Sequence, residues 1–94
     1  MVIETATFRL ASDVAEGDFV DLDARVQTGF VYQQRGCVRR TTARAPDGEW
    51  LALTFWGSMK DAEAAERAGA ADLLWREFMS VVDGYTVRRY TSLD

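Results

Sequence analysis

Ninety-four residues hold one domain, 1–94, with no room for a second core. Hydrophobic residues are 48% of the chain and charged residues 28%, a globular balance that excludes intrinsic disorder. Eleven basic residues against fifteen acidic ones give a net charge of −4, which argues against general binding to nucleic acid or an anionic membrane.

The first segment, Val2 to Leu10, alternates: Ala6, Phe8 and Leu10 share one face, Thr5, Thr7 and Arg9 the other, as in a strand. Asp13, with Glu16 three residues on, forms a capping box that opens a helix. Its buried stripe is Phe19, Leu22, Val26 and Phe30, and Gly36 is placed to end it. Cys37 to Arg44 reads as a second strand and Glu49 to Trp56 as a third. The turn chemistry of Ala45-Pro46-Asp47-Gly48 joins them as a hairpin. Ser58 and Asp61 cap a second helical region, alanine-rich at first and slackening at Gly69. A stronger segment follows with Ala71, Leu74, Trp75, Phe78 and Val82 on one side. Asp83-Gly84 ends it, and Tyr85 to Thr91 forms the last strand.

The order β-α-β-β-α-β, with right-handed crossovers, predicts an α+β ferredoxin-like fold: an antiparallel four-stranded sheet ordered 4-1-3-2, with both helices on one face. The other face stays bare. Strand three is bulky on both sides, with Leu51, Leu53 and Phe55 in one row and Trp50, Ala52, Thr54 and Trp56 in the other. The aliphatic row is assigned to the helices and the tryptophan row to the bare face. Monomers rarely leave such a patch in water, so a second copy of the chain, a ligand or a nucleic acid must cover it. A homodimer through the sheet face is expected.

The candidate ligand-binding residues are Arg9, Arg39, Trp50, Trp56, Trp75, Phe78 and Arg89. Trp50 and Trp56 either form interface core or stack a flat aromatic ligand. Trp75 and Phe78 lie on a packing stripe. Arg39-Arg40 and Arg88-Arg89 sit on the edge strands, where adjacent residues point to opposite faces. They either protect the edges and pair with acids, or clamp an anion. Arg9, on a central strand, is the arginine most expected to face a cavity. The single Cys37 excludes an internal disulfide and cysteine-ligated metal clusters, and it reads as a small buried hydrophobe. With no histidine, acid–base chemistry would need a shifted carboxylate or tyrosine. No acids converge on an inner face, so no metal is expected. Glu4 and Arg9 interrupt any signal-like apolar run, and nothing approaches the ~18 apolar residues of a membrane span, so a cytoplasmic protein is expected. Strand three lacks the basic, glycine-containing aromatic signature of an RNA-recognition domain.

Gly36-Cys37 opening strand two, the hairpin into Leu51-Ala52-Leu53-Thr54-Phe55-Trp56, and Gly57-Ser58 before an Ala/Glu-rich helix resemble the dimeric α/β-barrel superfamily, in its antibiotic-biosynthesis-monooxygenase-like branch. The resemblance implies that two sheets meet face to face, with small-molecule cavities within the barrel or between each sheet and its helices. It also implies that the helix carrying Trp75 and Phe78 borders a cavity. Haem-degrading members commonly use a histidine on the second helical region, where this chain reads Ala65-Glu66-Arg67-Ala68-Gly69. Cofactor-free oxygenases of the group are associated with Asn, Trp and Arg around a quinol-type substrate; this chain has Trp and Arg but no Asn. Two functions follow: a homodimeric small-molecule-binding protein, or a cofactor-independent monooxygenase or isomerase acting on an aromatic polyketide-like or quinol substrate. Neither calls for a cofactor.

Overall fold

A computed structural model describes all 94 residues. The elements run β1 (Val2–Leu10), α1 (Glu16–Gly29), a 3₁₀ turn (Val31–Gln33), β2 (Cys37–Arg44), β3 (Trp50–Trp56), α2 (Met59–Ala71), α3 (Leu73–Ser80) and β4 (Val82–Thr91). The sheet is antiparallel throughout and ordered β2-β3-β1-β4, as the sequence predicts. No helix is long and apolar enough to cross a membrane.

Local chemistry explains most boundaries. Gly48, at φ +92°, closes the β2–β3 turn, its amide donating to the Ala45 carbonyl at 3.1 Å. The Ser58 hydroxyl accepts from the Asp61 amide and starts α2. Asp72 accepts from the Trp75 amide at 2.9 Å, so the second helical region breaks there and α3 starts afresh. Two expectations are corrected. Asp13 lies two residues too early to cap α1, whose N-cap is Ala15 without a side-chain hydrogen bond. That helix ends at Gly29, where the Gln33 and Gln34 side-chain amides donate to the Thr28 and Phe30 carbonyls. Gly36 instead turns the chain into β2 at φ +84°, with the Asp61 side chain packed where a Cβ would stand.

The larger correction concerns the faces of β3. Trp50 (7% exposed) and Trp56 (4%) lie beneath the chain's own helices, with Ala52 and Thr54 between them. Leu51, Leu53 and Phe55 are half-buried on the uncovered face. Cross-strand register is the reason. Phe8 pairs with Trp50, Ala6 with Ala52 and Val2 with Trp56, so the apolar row of β1 and the tryptophan row of β3 share a face. The greater volume of the indoles fills the deep space under the helices. The open face carries Leu51, Leu53, Phe55 and Ile3 at its centre, with Thr5, Thr7 and Thr41 beside them. Arg88 and Tyr90 on β4 complete it, the guanidinium lying 5.2 Å from the ring centroid.

The core falls into two parts. Around Phe8, Phe19 and Phe78 an aromatic cluster packs at centroid distances of 5.6–5.7 Å, and Trp50 meets Phe19 edge-on at 4.9 Å. The smaller part is Val2, Trp56, Ala62 and Ala65.

Candidate functional site

Only half-buried Cys37 packs against both parts. Facing positions between them hold Ala6 and Ala52 on the sheet and Ala62 and Ala65 on α2, too small to bridge sheet and helix. They leave a cavity of about 280 Å³. Trp56 closes one end and Trp75, with Phe30 and Val31, bounds the other. The exposed members of the lining, Glu66, Met79 and Val87, mark its rim beside edge strand β4.

Its charged groups are paired. The Arg89 Nε donates to Glu4 at 2.9 Å and its Nη2 to Glu66 at 2.8 Å, bridging β4 to β1 and to α2. The Arg40 Nη2 donates to Asp23 at 2.8 Å and its Nη1 to Gln27 at 3.1 Å, with the guanidinium 5.9 Å above the Phe78 ring. Burial alone would lower the affinity of Arg89 for its proton; the hydrogen bonds to Glu4 and Glu66 outweigh it, and the net shift is upward. Arg89 therefore stays charged, and both guanidiniums face carboxylates.

The neutral polar groups are less committed. Tyr32 donates its hydroxyl to the Arg40 carbonyl and accepts from the Arg40 amide; Tyr85, on the cavity wall, is committed to no such partner. Burial pushes the Tyr85 phenol well above its ordinary 10.0, with Glu4 adding to the effect, so it is a protonated donor at neutral pH. The Nε1 of Trp56 is buried without a partner, an omission that costs about 1–3 kcal/mol and asks for an acceptor. Cys37 is half-buried, and desolvation raises its thiol above 9.0, which keeps it a poor nucleophile.

Of the residues singled out from sequence, Trp56, Trp75 and Arg89 line this cavity. Phe78 lies directly behind it, stacked on Trp75 at 5.1 Å and fully buried. Trp50 belongs to the aromatic cluster and is not on the wall. Arg9 is exposed and ties Asp47 of the β2–β3 turn, at 2.9 Å to its carbonyl and 3.3 Å to its carboxylate. Arg39 is exposed opposite Phe55 on the uncovered face, and its neighbour Arg40 is the inward member of the pair. Sequence reasoning missed Glu4 as a wall residue, left open which of Arg39 and Arg40 faces inward, and did not place Tyr85 on a cavity wall. For the three strand residues the available signal was parity: they lie in phase with Ala6 and Phe8 once the strands are registered.

No protein-family model matches the chain, and no curated protein matches its sequence. Solved structures do match. One is a single-site mutant of SnoaB, a cofactor-independent oxygenase from Streptomyces nogalater, at 19% identity and a TM-score of 0.80, over 99% of this chain and 93% of that one. Another is a candidate antibiotic biosynthesis monooxygenase from Nitrosomonas europaea, at 17% identity and 0.76, over the whole of both chains. A third, described in the same terms, comes from Bordetella bronchiseptica, at 18% identity and 0.77, over 98% and 97%. The chain has the ferredoxin-like fold of these antibiotic-biosynthesis-monooxygenase-like structures.

Proposed function

We propose that this chain is a single-domain, cytoplasmic, homodimeric small-molecule-binding protein of the dimeric α/β-barrel type, and that its ligand is a small, flat aromatic molecule held between sheet and helices. The observation that carries the reading is the alanine-framed cavity of about 280 Å³ between Trp56 and Trp75, near the lower end of the ~300–1,000 Å³ usual for ligand sites. Aromatic walls at both ends suit a ring system, and Tyr85 and Thr54 offer neutral hydroxyls to its oxygens. Dimerisation rests on the other face, where Leu51, Leu53, Phe55 and Ile3 form an apolar centre that no element of the protomer covers.

Titration calorimetry with 2-naphthol tests the binding. The expected result is saturable binding that is lost in Ala65→Leu, a variant that fills the cavity and gains up to ~2 kcal/mol of stability from the added apolar carbons. Equal binding by wild type and Ala65→Leu would place the ligand elsewhere and refute the reading.

The similarity to SnoaB favours a second reading, a cofactor-independent oxygenase or isomerase acting on an aromatic polyketide-like or quinol substrate. Without a cofactor the electrons come from the substrate. In the oxygenase case a ring methylene becomes a carbonyl, losing two hydrogens, and the second oxygen atom leaves as water. Oxygen uptake with a panel of quinols and anthrone-like compounds tests it; stoichiometric uptake abolished by Ala65→Leu establishes the chemistry in this cavity.

A further inference from the structure

Resting on the reading of the cavity as a ligand site, we infer that the site is built to accept an uncharged, oxygen-bearing aromatic ligand, and to reject its carboxylate counterpart. The charges at the wall are already balanced toward the negative. Two guanidiniums, Arg40 and Arg89, face three carboxylates, Asp23, Glu4 and Glu66, a net charge of −1 around the cavity. Two of the three pairs are not loose surface contacts: the Arg40 side chain is 3% exposed, Asp23 and Glu4 14% each. Within a low-dielectric space these contacts hold the donors in place, so an incoming carboxylate would have to displace Glu4 or Glu66 from Arg89, or Asp23 from Arg40. Either route trades one ion pair for another and leaves an acid at the wall without a partner.

The groups left for recognition are neutral. Tyr85, on the wall, retains a phenolic proton. Thr54, 4% exposed on the floor, adds a hydroxyl that can give or accept. This set matches a carbonyl or hydroxyl on a ring. The two arginines hold the walls together instead of holding the ligand.

Glu66 is the member that can be changed without disturbing the fold, since its side chain is 67% exposed at the rim. Paired calorimetric titrations at pH 7 use 2-naphthol, neutral there, and 2-naphthoate, of nearly the same shape but anionic, on wild type and Glu66→Gln. The wild type is expected to bind naphthol at least tenfold more tightly. Glu66→Gln removes one negative charge and half-frees Arg89, and should narrow the gap severalfold by improving naphthoate alone. Naphthoate binding as tightly as naphthol would overturn the inference while leaving the cavity reading intact. So would a preference that Glu66→Gln fails to move. Binding of neither probe, or binding that survives Ala65→Leu, overturns the cavity reading and this inference with it.

Discussion

Substituting Gly69 by alanine should destabilise the protein, against the ordinary expectation for a helix interior. Glycine inside α2 forfeits about 1 kcal/mol relative to alanine, so on propensity alone Gly69→Ala gains that amount. The structure reverses the sign. A Cβ built on Gly69 lies 2.7 Å from Cδ1 of Trp75, 3.0 Å from its Nε1 and 3.2 Å from its Cγ. Reaching ordinary contact at ~3.5 Å requires the indole to retreat by about 0.8 Å. It cannot do so freely: Trp75 stacks on Phe78 with an interplanar angle of 16° and packs against Phe30 at 5.6 Å and Tyr85 at 6.0 Å. Overpacking of this kind costs about 1–3 kcal/mol, which leaves a net loss of roughly 1 kcal/mol. In a chain of this size that lowers Tm by about 4–8 °C, readable by thermal melting with circular dichroism. Gly17, where an added Cβ meets nothing within 4 Å, is the control: Gly17→Ala should raise Tm. Because Trp75 is also a cavity wall, Gly69→Ala should weaken naphthol binding in step. A rise in Tm for Gly69→Ala equal to that for Gly17→Ala would refute the packing argument.

Light scattering after size exclusion should show the wild type at twice 10.6 kDa and Leu53→Asp at the single mass with an unchanged far-ultraviolet spectrum; a wild type of single mass defeats the dimer. Asp23→Ala removes the carboxylate from a guanidinium that is almost wholly buried, and should lower stability by about 3 kcal/mol in urea unfolding. A loss below about 1 kcal/mol would show that Gln27 alone satisfies Arg40. Tyr85 makes the protein sensitive to alkali. Its phenol releases a proton less readily folded than unfolded, so its contribution is whole below pH 10 and drains away as pH climbs from there toward the folded value. Tyr85→Phe should therefore flatten the fall of Tm above about pH 10, and an unchanged slope would assign that fall to other groups.

Topology was legible because it rests on local signals. The Ala45–Gly48 turn, the Ser58–Asp61 cap and the alternation of β1 each act within a few residues. The face of β3 was not, because both its rows are apolar and a strand cannot by itself say which way is in. That information lay on β1, where Ala6, Phe8 and Leu10 oppose Thr5, Thr7 and Arg9, and it reaches β3 only through the pairing of Phe8 with Trp50. The cavity was harder still, since it consists of side chains that are absent. Ala6 and Ala52 are adjacent only through register, and Ala62 and Ala65 come over them from α2. Asp72 passed unnoticed as a cap because its neighbours, Ala70 and Ala71, extend a helix-forming run right up to it.

The arginine pairs show what the buried charges do for the fold. Each edge strand carries two arginines in succession, and in each case one side chain lies inside and one outside: Arg40 and Arg89 under the helices, Arg39 and Arg88 on the open face. Buried ion pairs contribute little net stability, since desolvation offsets most of the attraction, yet breaking one is expensive. Their effect here is on register. If β2 or β4 slipped by one residue, its side chains would exchange faces. A slip that brings Thr41 to the place of Arg40, or Tyr90 to that of Arg89, takes from Asp23, or from Glu4 and Glu66, the guanidinium that sits 2.8–2.9 Å away; a slip the other way sets Arg39 or Arg88 in that place. Edge strands are held by one neighbour only and are the most prone to slip. The carboxylates waiting on α1, β1 and α2 therefore penalise slip in one direction. The contacts that fix the edges are also the ones that occupy the arginines of the cavity, so an edge strand in register and a site indifferent to anions follow from one arrangement of charge.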